Sequence, residues 1–323
     1  MSSRKTDVSC ARYPTPRRDQ GQRHPLVSLI GIAIIGVLCG ADEWTEVEEV
    51  ASLKADWLKT FLDLPHGIPS HDTLSRVFGL LEPEAFSQAL LGWIQHVAAL
   101  SRGELVSIDG KTLRRSYDTA SDQPALHMLS AWCQQNQIVL GQLATDLKDN
   151  EITAIPRLLE LLDLTGAVVT IDAIGCQHDI VRKILQQNGD YLIQVKTNQG
   201  ALYDDLKLYF DQMKAEGFES VAHGKASTTE GQHGRVETRT AWSLWQIDWL
   251  KQRHAWAGLN SIVCIEAQRD QDGQTSTEHR YYISSLDGLD AAYLLSASRG
   301  HWGIENRLHW SLDMTFKEDH SRV

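Results

Sequence analysis

Two hydrophobic rhythms run along this chain, and one gives way to the other near residue 100. In the first stretch apolar positions recur at helical spacing. LVSLIGIAIIGVLCGA, Leu26–Ala41, is an apolar run of 16 residues. That is short of the roughly 20 needed to span a bilayer, so a buried helix is expected over Leu26–Cys39. A second helix is expected from Trp44 to Leu62, where Trp57, Leu58, Phe61 and Leu62 fall on one face. PHGIPS, Pro65–Ser70, interrupts the pattern. Ser70 can cap a third helix running through Leu81. Pro83 opens a fourth, through Leu100, in the first turn where proline is tolerated. Residues 25–100 therefore predict a small all-helical domain.

From Glu104 the period shortens to two. ELVSIDG, Glu104–Gly110, alternates as a strand does, and LHMLSAWC and IVLGQLAT flank QQNQ as the arms of a hairpin. EITAIPRLLELL, Glu151–Leu162, is helical, with Pro156 expected near its start. AVVTID, Ala167–Asp172, is almost continuously apolar, as a central parallel strand buried on both faces must be. HDIVRKILQQNG predicts an amphipathic helix closed by Gly189, and DYLIQVK a further strand. Strand, strand, strand, helix, strand, helix, strand is the order of an α/β domain with a mixed sheet, built from hairpin links and right-handed crossovers. Residues 200–285 interrupt it with a β-rich insertion. This holds a helix over Leu202–Met213, strands over Arg235–Trp242, Ser261–Glu266 and Arg280–Ser285, and a turn at Asp270–Gly273. Helical character returns over Asp290–Leu312, so residues 101–323 form the second domain.

Composition narrows the function classes. With 42% hydrophobic and 23% charged residues in 323, the chain can bury a sizeable core. A formal net charge of −11 argues against a generic polyanion binder, so any nucleic-acid surface has to be local. Residues 1–24 are one basic candidate: six Lys or Arg stand against Asp7 and Asp19, and the sparse apolar content predicts a disordered arm. The five cysteines include no CxxC pair, which suggests neither a zinc ribbon nor a disulfide framework and fits a cytoplasmic protein. The layout of a signal peptide is missing as well.

Two aspartates close predicted strands, Asp109 the first and Asp172 the fourth. If the fourth strand lies parallel beside the first, both carboxylates emerge at the same carboxyl-end edge, where α/β sites form. Paired carboxylates repel each other, and a hard divalent cation such as Mg²⁺ or Mn²⁺ relieves that repulsion. Either residue alone reads as a turn or cap former, since Asp-Gly is a common turn signal. A third carboxylate is expected from a later helix, and Glu305 is the best placed. It sits in RGHWGIENRLHW, Arg299–Trp310, where His301, Glu305 and His309 share a helical face beside Trp302 and Asn306. Such neighbours can hold a phosphate backbone or stack on a base. Zinc on the two histidines and Glu305 is an alternative, but no HExxH is present and both aspartates would go unexplained.

SIDGKTLRRS (Ser107–Ser116), VVTIDAIGCQ (Val168–Gln177), VKTNQ (Val195–Gln199) and RGHWGIENRLHWSLDMTFKEDHSR (Arg299–Arg322) together resemble the H-repeat-associated family of bacterial insertion-sequence transposases. RHPLVSLIGIAIIGVLCGADEWTEVEEVA and LPHGIPSHDTLSRVF are similar to that family's N-terminal associated domain. The resemblance covers nearly the whole chain from about residue 23. It implies a ribonuclease-H-like catalytic domain with a β-rich insertion and an Asp-Asp-Glu triad at Asp109, Asp172 and Glu305. The triad would hold two Mg²⁺ or Mn²⁺ ions, and the partners would be double-stranded transposon-end and target DNA, with a homodimer as the active form and no membrane. Related transposases often carry Tyr and Arg seven and four residues before the Glu and Lys seven after it. Here those places hold Ser298, His301 and Leu312.

DNA contacts are expected from Lys111, Arg114 and Arg115 after Asp109, from Lys196 and Asn198 at the end of the fifth strand, and from Arg299, His301, Trp302 and Arg307. The N-terminal helices could also bind transposon ends, although the seven-residue connection from Asp63 to Pro69 is long for a helix-turn-helix. Three functions compete: an active transposase, an inactive relic that at most binds DNA, and a metal nuclease without strand transfer. The chain ends 18 residues after Glu305. The resemblance implies further helical sequence beyond that point, and its loss would favour the relic.

Overall fold

The computed structural model describes residues 22–98, 103–114, 116, 125–145, 151–232 and 235–320. The basic arm, apart from its last three residues, lies outside them, as does Arg115. The described chain divides into two compact units, one running to Val97 and taking in Met314–Phe316, the other holding the rest from Ala98. No helix among the described residues is long and apolar enough to cross a membrane.

The first unit holds helices α1 (Leu26–Leu38), α2 (Trp44–Leu53), α3 (Ala55–Leu58), α4 (His71–Phe78) and α5 (Pro83–Val97). Its core gathers Leu29, Ile32, Val47, Leu58, Leu74 and Val77, each almost fully buried. The expected helix from Trp44 to Leu62 is broken at Lys54, whose φ of −106° and ψ of 14° leave the helical region. Leu58 of α3 is nonetheless fully buried in that core. Ser70 caps α4 as expected, its hydroxyl accepting the Thr73 N–H at 3.4 Å.

The second unit is built on one nine-stranded sheet, in the order β3-β2-β1-β4-β5-β9-β8-β7-β6. Strands β1 (Leu105–Thr112), β2 (His127–Cys133) and β3 (Ile138–Thr145) form an antiparallel meander. Helix α6 (Glu151–Glu160) and α7 (His178–Gln186) carry the crossovers to β4 (Val168–Ile171) and β5 (Asp190–Val195), which run parallel to β1. This is the mixed α/β architecture the residue order implies. Two local details differ. Pro156 sits inside α6 rather than in its first turn, and α7 is closed by Asn188 at φ 58° rather than by Gly189. Asn tolerates that left-handed position better than most residues because its short polar side chain can hydrogen-bond to local backbone.

Helix α8 (Gly200–Ala215) is followed by β6 (His223–Gln232), β7 (Arg235–Leu244), β8 (Ser261–Gln271) and β9 (Gln274–Ser284). The insertion makes no sheet of its own: β9 pairs antiparallel with β5 and so extends the central sheet. Helix α9 (Ala291–Gly300) lies across one sheet face, where Leu294 and Leu295 pack with Leu105, Val263 and Tyr282. A π-helical turn, Ile304–His309, then leads into α10 (Trp310–Met314). The helix expected over Asp290–Leu312 is thus interrupted, and the interruption falls on Glu305. Gly300 allows the close approach of α9 to β1, since a Cβ there would run into Leu105 and Gln134.

Candidate active site

Alternation along β1 places the site. Val106 and Ile108 enter the larger core, and Leu105 enters the core under α9. Ser107, Asp109 and Lys111 follow Leu105 on that second face. β4 pairs in register with Ser107 opposite Thr170 and Ile108 opposite Ile171. One further step sets Asp109 beside Asp172, with neighbouring strands about 4.8 Å apart. Asp109 does not close its strand: β1 runs on to Thr112, paired with β2, after its parallel neighbour has ended. The gap left by β4 is the edge on which the carboxylate stands. Asp172 caps the short turn Ala173–Gly175, its carboxylate accepting the Ile174 N–H at 3.0 Å. It is therefore a cap residue that also stands beside Asp109.

A buried hydrogen-bond chain lies beneath the two aspartates. The hydroxyls of Ser107 and Thr170 are 3.1 Å apart, and Thr170 Oγ1 is 3.2 Å from His301 Nδ1. This anchors the helical segment one turn before Glu305. Burial holds His301 below the usual histidine range, against the pull of nearby Asp172. Asp109 is 22% exposed. Burial raises its carboxyl to about 7, against the Gly110 N–H, with Glu305, Glu151 and Asp172 adding repulsion. The three expected carboxylates are thus electrostatic neighbours, and Glu151, at the start of α6, joins them. It was not legible as a site residue because it opens an amphipathic helix. Its carboxylate bonds His127 Nε2 at 2.9 Å, and a Cβ on Gly110 would strike both groups.

This donor set fits a hard divalent cation: crowded carboxylates, one carrying a proton near neutrality, are what such an ion relieves. His309 adds a buried Nε2 with no hydrogen-bond partner among the described residues. As the side chains are arranged, no three ligating groups among the described residues stand close enough to grip an ion.

The expected DNA contacts divide. Lys111 is only 10% exposed and is enclosed by Asp313 at 2.5 Å and Glu318 at 2.6 Å. Burial lowers its pKa, but those two carboxylates outweigh it and hold the ammonium above the usual lysine range. Arg114 is 85% exposed, with Asp319 3.7 Å away. Lys196 is exposed, and the Asn198 amide donates to the Ala173 carbonyl at 2.7 Å, tying the β5 exit to the Asp172 turn. Arg299 clasps Glu230 of β6, and His301 is turned inward on Thr170.

Trp302 and Arg307 line an open cavity of about 680 Å³ between the insertion strands and the α9–π-turn segment. Arg235, Arg239, Arg269, Arg280 and Arg299 line it too. Glu237 pairs with Arg239 at 2.7 Å, Glu278 with Arg280 at 2.8 Å, and the Arg280 guanidinium lies 5.2 Å from the Trp302 ring centre. Strand alternation explains the lining. The face that is apolar under α9, at Ala241, Val263 and Ile265, becomes arginine-rich where α9 no longer covers it. Arg235, Arg239, Arg269 and Arg280 were not legible as one surface, because they lie on three strands.

A mixed sheet bearing two carboxylates on adjacent parallel strands, faced by a helical carboxylate after a β-rich insertion, defines a ribonuclease-H-like α/β chain. Residues 100–323 match the model for the transposase DDE domain, and residues 11–94 match one described as DDE_Tnp_1-associated. The chain belongs to the DDE-domain transposase family. It is 42% identical to an uncharacterized protein in the dhlA 3′ region of Xanthobacter autotrophicus, over 84% of this chain and 91% of the relative. Two proteins named putative transposases are also similar. YncI of Escherichia coli O157:H7 is 40% identical over 95% of this chain and 79% of its own length. The H repeat-associated YhhI of Escherichia coli K12 is 36% identical over 96% and 82%.

Proposed function

We propose that the chain is a DNA transposase of an insertion sequence, cutting phosphodiester bonds at transposon ends and joining the freed ends to target DNA. What supports this reading is that Asp109 and Asp172 follow each other in register on adjacent parallel strands, and that burial, with repulsion from Glu305, Glu151 and Asp172, raises Asp109 to about 7. Asp109, Asp172 and Glu305 are the residues that would hold Mg²⁺ or Mn²⁺. When bound, such ions activate the attacking water or 3′-hydroxyl and stabilise the leaving oxygen.

The chain's own residues do the rest. The arginine-lined cavity, with Trp302 and Arg307 at its mouth, adjoins the turn that carries Glu305 and suits a DNA backbone. Asn198 holds the Asp172 turn in place, and the Ser107–Thr170–His301 chain fixes the helical segment below the carboxylates.

The test is a reaction of the full chain with DNA carrying the matching terminal inverted repeats, with Mg²⁺ or Mn²⁺. Cleavage together with joined products is the expected result. Cleavage without joining marks a nuclease, and binding without cleavage marks a relic.

A further inference from the structure

We infer that Lys111 is a positioning residue, locking the Glu305-bearing helix onto β1, and does not itself contact DNA. The inference rests on the reading of Asp109 and Glu305 as partners in one carboxylate site.

Glu305 has little to hold it. It is exposed, it sits in a π-helical turn, and no hydrogen bond or ion pair reaches its carboxylate among the described residues. Its place opposite Asp109 is set by contacts on either side of it. Before it, His301 is bonded to Thr170. After it, the helical segment runs alongside β1 in matched steps. Asp109 and Lys111 share one strand face, about 6.7 Å apart. His309 and Asp313 are four residues apart, a rise of about 6 Å in a helix. His309 Nδ1 lies 3.7 Å from Asp109 Oδ2, and Asp313 Oδ1 lies 2.5 Å from Lys111 Nζ. Strand and helix thus meet rung by rung.

Glu318, 2.6 Å from Lys111 Nζ, and Asp319, whose carboxylate accepts the Arg114 N–H at 3.2 Å, close the same end of β1. An ammonium so enclosed can reach a phosphate only by giving up these carboxylates. A π turn carries one residue more per turn than the flanking helix, so the phase of Glu305 depends on what pins the helix beyond it. Lys111 is that pin.

The experiment uses the full chain as wild type, Lys111→Met, Lys111→Arg, Asp313→Asn/Glu318→Gln and the triple variant Lys111→Met/Asp313→Asn/Glu318→Gln. The triple variant carries no uncompensated charge from a lost partner, which guards against a Lys111→Met chain that fails to fold. Two quantities are read: Mn²⁺ affinity by titration calorimetry, and the salt dependence of end-DNA binding in EDTA.

Lys111→Met, the double and the triple variants should each weaken Mn²⁺ binding by about tenfold, as loss of an outer support does. Lys111→Arg should restore most of the affinity. The salt slope of DNA binding should stay at the wild-type value in all of them. A Lys111→Met slope reduced by about one, with tighter DNA binding by the double variant, would overturn the inference and make the acidic segment a mask over a DNA contact. Wild-type Mn²⁺ affinity in the triple variant would overturn it too. A wild type that binds no Mn²⁺ sinks the carboxylate-site reading and this inference with it, whereas the other adverse outcomes leave that reading intact.

Discussion

His309 Nδ1 stands 3.7 Å from Asp109 Oδ2, yet burial acts on the two groups in opposite directions and keeps them from forming an ordinary ion pair. Burial lowers His309 to about 4, with Lys111 adding to the effect and Asp313 opposing it. Asp109 is raised to about 7. Near neutrality the ring is uncharged and the carboxyl is partly protonated, so the contact is close but weakly attractive.

That arrangement fixes the sign of a pH effect on metal-free stability. Asp109 holds its proton in the fold up to about 7, so its contribution is present at low pH and is lost as pH rises from about 4 to 7. His309 refuses a proton in the fold until about 4, so its contribution is lost as pH falls from 6.5 towards 4. The Asp109 contribution amounts to at most roughly 4 to 5 kcal/mol and that of His309 to at most roughly 3 to 4 kcal/mol, and together they mask one another. Urea unfolding in EDTA should show Asp109→Asn losing stability from pH 7 to 5 and His309→Gln gaining it. Parallel pH profiles for the two variants would contradict this.

Thr170 bridges Ser107 and His301 inside the protein, and valine matches its shape without the hydroxyl. Thr170→Val should cost about 1–3 kcal/mol of stability, because it strands two buried polar groups. Urea midpoints measure it. An unchanged midpoint would mean that the hydrogen-bond chain does not anchor the helical segment.

The arginine-lined cavity predicts a salt signature. Arg269→Ala and Arg307→Ala should each lower the salt slope of end-DNA binding by about one, and Arg280→Ala should strip the cation from Trp302. Fluorescence anisotropy across a salt series reads the slope. Slopes equal to wild type would move the DNA path elsewhere.

Much of the catalytic unit was legible because period and register are local. AVVTID could be little other than a buried central strand, and its parallel pairing with β1 followed from the order of elements. Asp109 and Asp172 therefore came together on paper as they do in the fold. What escaped was set by tertiary contacts. β6, HGKASTTEGQ, is polar throughout, and only its ladder with β7 makes it a strand. β8 and β9 outrun their apolar halves for the same reason, since their outer ends are exposed on the sheet. The π turn at Glu305 has no residue signature. Nor does sequence reveal that Lys111 points at Asp313, 202 residues later, rather than at solvent.

The central claim is that Asp109, Asp172 and Glu305 act as one site. The most direct test compares wild type with Asp109→Asn, Asp172→Asn and Glu305→Gln in Mn²⁺-dependent cleavage of DNA bearing the matching terminal repeats. All three variants should keep end-DNA binding in EDTA and lose cleavage by at least about a hundredfold. Cleavage that persists at the wild-type rate in any one of them would remove that residue from the site.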